Sequence, residues 1–178
     1  MIATLTRIWL VLLLLGLCRP AAAGPTDTPL PTFSDSRAAV NVYIAAGVIK
    51  NNNLETDVVC TNVDTVAVDI GLEVFDETGA LRNSIAAGSG AFLNVGVGKT
   101  VTVGTAGTAV LHEDQTLALN TAGSGVGLLR NGSGRVVATS KSIACNAIVA
   151  DKLHTVQDPA VSSLPPPSLA QLQLIKLP

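Results

Sequence analysis

Between Thr65 and Phe75 the chain alternates, with Val66, Val68, Ile70, Leu72 and Val74 on one side and Thr65, Ala67, Asp69, Gly71, Glu73 and Phe75 on the other. Apolar residues at a period of two predict an antiparallel strand with one face in a core and the other mostly in water. Asp76-Glu77-Thr78-Gly79 follows with turn chemistry, Asp in first place and Gly where a positive φ is wanted, so Ala80–Ser84 is expected to return as a hairpin partner. Further strands are predicted at Val40–Ile49, Thr56–Val63, Ala91–Val97, Lys99–Thr105, Thr116–Leu119, Gly125–Arg130, Arg135–Ser140 and Ile143–Ala150. Breaks fall at Asn51-Asn52-Asn53, Gly88-Ser89-Gly90, Gly104 to Gly107, Ala122 to Gly125 and Asn131 to Gly134. No apolar pattern of helical period runs longer than about two turns between Asp35 and Lys152. Turn signals every 8–12 residues or so predict an all-β fold, an antiparallel, immunoglobulin-like β-sandwich of about 7–9 strands.

The texture differs at both ends. Residues 1–23 read as a signal peptide, with Arg7 as the positive region, Ile8 to Leu17 as the apolar region, and Ala21 and Ala23 marking a small-x-small cleavage site before Gly24. The apolar run is about half the roughly 20 residues that a spanning helix needs, so no transmembrane segment is expected in the mature chain. Residues 24–34, with Pro25, Pro29 and Pro31, are expected to be an extended or disordered lead-in, and 35–152 the folded domain. Residues 153–178 hold the stiff Ser163-Leu164-Pro165-Pro166-Pro167 stretch and an apolar end, Ser168–Pro178, that fits a short helix and a short strand about equally. That end reads either as a frayed tail or as a segment that adds to the sheet edge of a partner. Cys18 offers a rival processing site, because Leu15-Gly16-Leu17-Cys18 resembles the lipobox of bacterial lipoproteins. That pattern wants a small residue where Leu17 stands, and Ala21 to Ala23 fit cleavage better.

Cleavage would change the chemistry that remains. The count of 11 Lys+Arg loses Arg7 and Arg19, leaving 9 against 13 Asp+Glu, a formal charge of −4. The basic residues stand singly from Arg37 to Lys176, so nucleic acid and anionic membrane surfaces are not expected partners. Only Phe33, Tyr43, Phe75 and Phe92 remain as aromatics, too few for the usual sugar-stacking or base-stacking platforms. Cys60 and Cys145 are then the remaining cysteines, 85 positions apart (145 minus 60), and in an oxidising compartment they most simply pair. Neither has a nearby His or a CxxC partner, which weakens the alternatives of a thiol nucleophile or metal ligand.

Motifs that suggest chemistry fail on context. Val97-Gly98-Lys99-Thr100 lacks the Gly of a phosphate loop at Leu93 and continues as a β alternation, so a Gly turn opening a strand is expected. His112-Glu113-Asp114 is the densest polar cluster. Neighbours on a strand point to opposite faces, so His112 and Glu113 are not expected to share a metal, and a charged turn is the better reading. His154 reads as a solvated linker residue, and no G-x-S-x-G elbow accompanies the serines. Asp69 and Glu73 lie about 13 Å apart at strand rise, too far for a retaining carboxylate pair and beyond the usual inverting range. Asp76-Glu77 lacks an EF-type ladder of calcium ligands.

Asp57-x-x-Cys60-Thr61-Asn62, Glu73-Val74-Phe75-Asp76-x-x-Gly79, Gly98-Lys99-Thr100-Val101-Thr102-Val103, and Arg135-Val136-Val137-Ala138-Thr139-Ser140 before Cys145 together resemble a group of secreted bacterial β-sandwich proteins of unknown function. The resemblance spans roughly residues 40–151. It implies a bacterial, extracytoplasmic, immunoglobulin-like domain with a disulfide, and it carries no catalytic residues. The Trp that packs on the disulfide of true immunoglobulin domains is missing. The expectation is therefore an exported, non-enzymatic module without cofactor or metal, its partner an envelope or extracellular protein. The alternatives are a secreted hydrolase or metal-dependent enzyme using His112, Glu113 and Asp114, and a subunit assembled by strand exchange.

Overall fold

The computed structural model describes residues 24–107, 111–119, 127–151 and 169–178. The described residues form ten strands and no helix: β1 (Val40–Asn51), β2 (Leu54–Asn62), β3 (Val68–Phe75), β4 (Ala91–Val95), β5 (Thr100–Gly104), β6 (Gln115–Thr116), β7 (Leu129–Ala138), β8 (Ile143–Asp151), β9 (Leu169–Leu172) and β10 (Leu174–Lys176). A hydrogen-bonded path β4-β3-β7-β1-β2-β5-β6 curls into a half-barrel; β8 pairs with β2 and β9, and β10 pairs with β1. Every pairing is antiparallel except β5 with β6.

The curl originates in one hairpin. β1 and β2 pair only at Lys50–Glu55 and Asn51–Leu54, around the turn at Asn52 and Asn53. Beyond it β1 runs with β7 and β10, while β2 runs with β5 and β8. The two halves therefore face each other. Val42, Val48, Val68, Ile70, Leu72, Val74 and Val136 meet Val58, Cys60, Val103, Ile143 and Ala147 in one core. The void left among Val58, Cys60, Ile70, Leu72, Phe92, Val101, Val103 and Val136 is about 10 Å³, room for one water at most.

Cys60 and Cys145 form a disulfide, directly opposite in the β2–β8 ladder with Cα atoms 4.2 Å apart. Its position differs from that of the sheet-to-sheet bond of immunoglobulin domains. The bond ties neighbouring strands of one sheet, because register alone brings the two residues together. Closing a loop of this length constrains the unfolded chain by at most roughly 4–5 kcal/mol.

The face of β3 expected to be wet is buried. All eight residues of β3 are buried, Asp69 and Glu73 included. Residues 24–39 and 81–90 fold across that face, and Phe33, Ala39, Ile85 and Val137 form a second apolar cluster there. Over its described length the lead-in lies against that face. Val66 lies before the strand begins and is exposed.

Ala80–Ser84 does not return as a strand: a single bridge joins Phe75 to Leu81, and the partners of β3 are β4 and β7. The turn itself forms as expected, with Asp76 Oδ1 accepting from the Thr78 and Ala80 amides. The expected break at Asn131–Gly134 runs inside β7 instead. A Cβ at Gly132 would fall 2.7 Å from the Phe75 carbonyl oxygen, so the glycine there serves close strand approach. Over residues 169–176 the last segment pairs within the chain: β9 adds to β8 and β10 to β1, stitching across the gap between the two halves.

Candidate functional site

The residues of the expected charged turn separate. The His112 side chain is 92% exposed, with Nε2 3.8 Å from Asp114 Oδ1. Asp114 closes onto β5, its Oδ2 accepting from the Thr102 amide (2.7 Å) while its own amide donates to the Thr102 carbonyl (2.9 Å). Glu113 turns inward. The three do not converge, and none of them lies in a strand, since β6 begins at Gln115.

Glu113 meets two acids of β2, Glu55 and Asp57. One carboxylate oxygen from each of Glu55, Asp57 and Glu113 lies within 4.8 Å of the others. Glu55 and Asp57 sit two apart on β2, on the face away from Val58 and Cys60, and both are 0% exposed. They are covered by the crossover from β5 to β6. Its path is pinned by Thr105, whose amide donates to the Thr56 carbonyl, and whose hydroxyl accepts from the Thr56 amide and donates to the Ile49 carbonyl. At Leu117 the chain returns, its amide donating to the Gly104 carbonyl.

Neither oxygen of Asp57 accepts a hydrogen bond. Burial above all, then the charges of Glu55 and Glu113, pushes its carboxyl up to about 8. The space is kept open by Gly104, opposite Asp57 in the β2–β5 register. A Cβ there would fall 2.5 Å from Asp57 Oδ1, 2.6 Å from the Ala106 carbonyl oxygen and 3.0 Å from Glu113 Cγ. Such a set of carboxylate and carbonyl oxygens suits a hard cation, and it has no nitrogen or sulfur donor for zinc.

A second buried charge lies on the opposite half. Arg135, 1% exposed, donates from Nε to Glu73 Oε2 at 2.7 Å, with Nη2 2.6 Å from the same oxygen. Its Nη1 donates to the carbonyls of Pro25 and Thr28, and Nη2 to that of Pro29, while the guanidinium lies 5.4 Å from the Phe75 ring centroid. Arg135 thereby bonds three carbonyls of the lead-in, which is also anchored by Phe33 in the second apolar cluster. Burial pushes the Glu73 carboxyl up, against the opposing pull of Arg135.

Asp69, also on the buried face of β3, is bridged by Arg37 and accepts from the Asn94 amide at 2.8 Å. Asp76 is engaged by its own turn and by Arg82 (2.9 Å), which holds its carboxyl below the usual range despite partial burial. Gly98 turns the chain into β5 with φ of 71°, the structural role expected for the phosphate-loop look-alike. Cys18, Ala21, Ala23 and His154 lie outside the described residues; Gly24 is the first described residue. Comparison with family models, curated proteins and solved structures finds no match.

Proposed function

We propose that the chain is exported and works as a non-enzymatic, immunoglobulin-like β-sandwich, a structural or protein-interaction module of the periplasm, envelope or extracellular space. Two facing halves around one core support the sandwich reading, and the disulfide supports an oxidising compartment. The observation that carries the interaction role is a set of valines displayed at one end. Val63, Val66 and Val97 are 59%, 61% and 58% exposed, on the loops that follow β2 and β4. Buried Asn62 ties these loops together, its Nδ2 donating to the Val66 and Val95 carbonyls and its backbone bonding Gly98 and Lys99. Apolar side chains held in water on fixed loops are what a protein partner covers.

A photo-crosslinking residue at position 97 of the exported chain tests this reading. A discrete protein adduct, weakened by Val63→Ser with Val66→Ser at unchanged stability, supports it; the absence of any adduct counts against it. Mass spectrometry of the exported protein addresses location. A mature start at Gly24, or a lipidated Cys18, agrees with export, whereas an unprocessed Met1 does not.

Assembly by strand exchange is the second reading, and the C-terminal strands favour it. β9 and β10 join β8 and β1 through backbone pairing while most of their side chains stay exposed. The tail of a second copy could make the same bonds. Concentration-dependent oligomers that vanish when Ser168–Pro178 is removed would support exchange, and a monomer at every concentration would exclude it.

A further inference from the structure

We propose that Glu55, Asp57 and Glu113 bind one calcium ion, which fastens the β5–β6 crossover to β2. The inference goes beyond the interaction reading and does not depend on it. It starts from Asp57: a fully buried carboxyl group whose two oxygens accept no hydrogen bond, aimed at two other carboxyl groups within 4.8 Å. A buried acid facing acids is stable only with a proton or a cation between them. Gly104 keeps that space clear of a side chain, and the Ala106 carbonyl oxygen borders it.

The donor chemistry selects the ion. Oxygen ligands alone, with His112 pointing into solvent, disfavour zinc and the later transition metals. Magnesium demands near-octahedral geometry and keeps its waters, whereas calcium takes 6–8 oxygens in looser arrangements and completes its shell with carbonyls and water. Three carboxylates from two chain segments, with one backbone carbonyl at the rim, match the second description. Affinity in the extracellular class, a Kd of about 10⁻⁴–10⁻³ M, is expected. The ion would join Glu113 on the crossover to Glu55 and Asp57 on β2, adding to the anchors at Thr105 and Asp114.

The test uses the purified chain freed of divalent ions by chelation, with calcium chloride and magnesium chloride as the probes. Calorimetry should show one calcium per chain. Thermal unfolding should rise by roughly 4–8 °C at about ten times Kd, and much less with magnesium. Asp57→Asn, close in shape and free of the buried charge, should fold and lose both the heat and the shift. No heat and no shift in the natural chain at up to about 10 mM calcium would overturn the proposal, leaving a proton-sharing carboxyl cluster. Calcium affinity unchanged in Asp57→Asn would overturn it equally. Should that variant not fold, Glu113→Gln on the half-buried crossover decides, with unchanged affinity again the refuting result.

Discussion

The two halves of the curled sheet each bury acidic side chains, and they deal with them in opposite ways. On the β3–β7 side, Glu73 meets Arg135, and the guanidinium spends its remaining donors on the carbonyls of Pro25, Thr28 and Pro29. On the β2–β5 side, Asp57 meets Glu55 and Glu113 and accepts no hydrogen bond. The first arrangement is self-sufficient: charge, hydrogen bonds and a bound segment of chain are supplied together. The second stays incomplete until a proton or cation enters. A buried charge with an internal partner serves the fold, whereas one facing like charges opens the fold to its solution conditions.

The sharpest way to break this contrast is to remove the guanidinium. Arg135→Met strands Glu73 and frees the carbonyls of the lead-in, so a loss of about 3–5 kcal/mol is expected from urea unfolding. Limited proteolysis should then cut before Phe33, since Arg135 bonds the carbonyls of Pro25, Thr28 and Pro29. Adding Glu73→Leu should recover part of the loss, because the uncompensated acid is then gone. Full stability in Arg135→Met alone would show that the lead-in, not the ion pair, covers this face.

Relieving the other site should have the opposite sign. Without divalent ions, Asp57→Asn should stabilise the chain at neutral pH by about 1–3 kcal/mol, the scale of an unsatisfied buried polar group. The gain should depend on pH. In the fold Asp57 titrates near 8 and unfolded near 3.8, facing Glu55 on its own strand and Glu113 on the crossover. Folding therefore takes up a proton between those values. The contribution of Asp57 to stability is full below about pH 4 and is lost as pH rises through about 8. Melting curves of the ion-free chain from acid to alkaline pH should show that decline, and Asp57→Asn should flatten it. Equal slopes in the two proteins would assign the decline elsewhere.

How far the sequence carried depended on how local each feature was. Alternation located β1, β2, β5 and β8 to within two residues, and Asp76 to Gly79 announced its turn. The Asn-Gly-Ser-Gly stretch within β7 reads as a turn because its glycines answer to Phe75 and Val48 across the sheet, which no neighbouring residue reveals. Asp69 and Glu73 looked solvated because their partners, Arg37 and Arg135, come from distant positions. The acidic site was half visible. Glu55 and Asp57 share a strand face and Glu113 was singled out, but the path of the crossover, set by Thr105 and Asp114, is what brings them together. Gly104 opposite Asp57 was the one local hint, and it means something only once the β2–β5 register is known.

The smallest effect separates burial from charge within the acidic site. Burial is the largest influence on Asp57, followed by Glu55 and then Glu113. Removing one neighbouring charge should therefore lower the Asp57 titration only in part, and Glu55→Gln should lower it more than Glu113→Gln. Both should leave it well above 3.8, because β2 stays covered as long as Thr105 and Asp114 hold the crossover. Carbon-detected NMR titration of the Asp57 carboxyl in the ion-free chain reads this directly, while Glu113→Gln should change stability by only about 0.5 kcal/mol. A return to the ordinary carboxylate range in Glu113→Gln would mean that like charge, not desolvation, governs Asp57. The site would then differ from the Glu73–Arg135 pair only in the sign of its neighbour, and not in its exposure to proton and calcium.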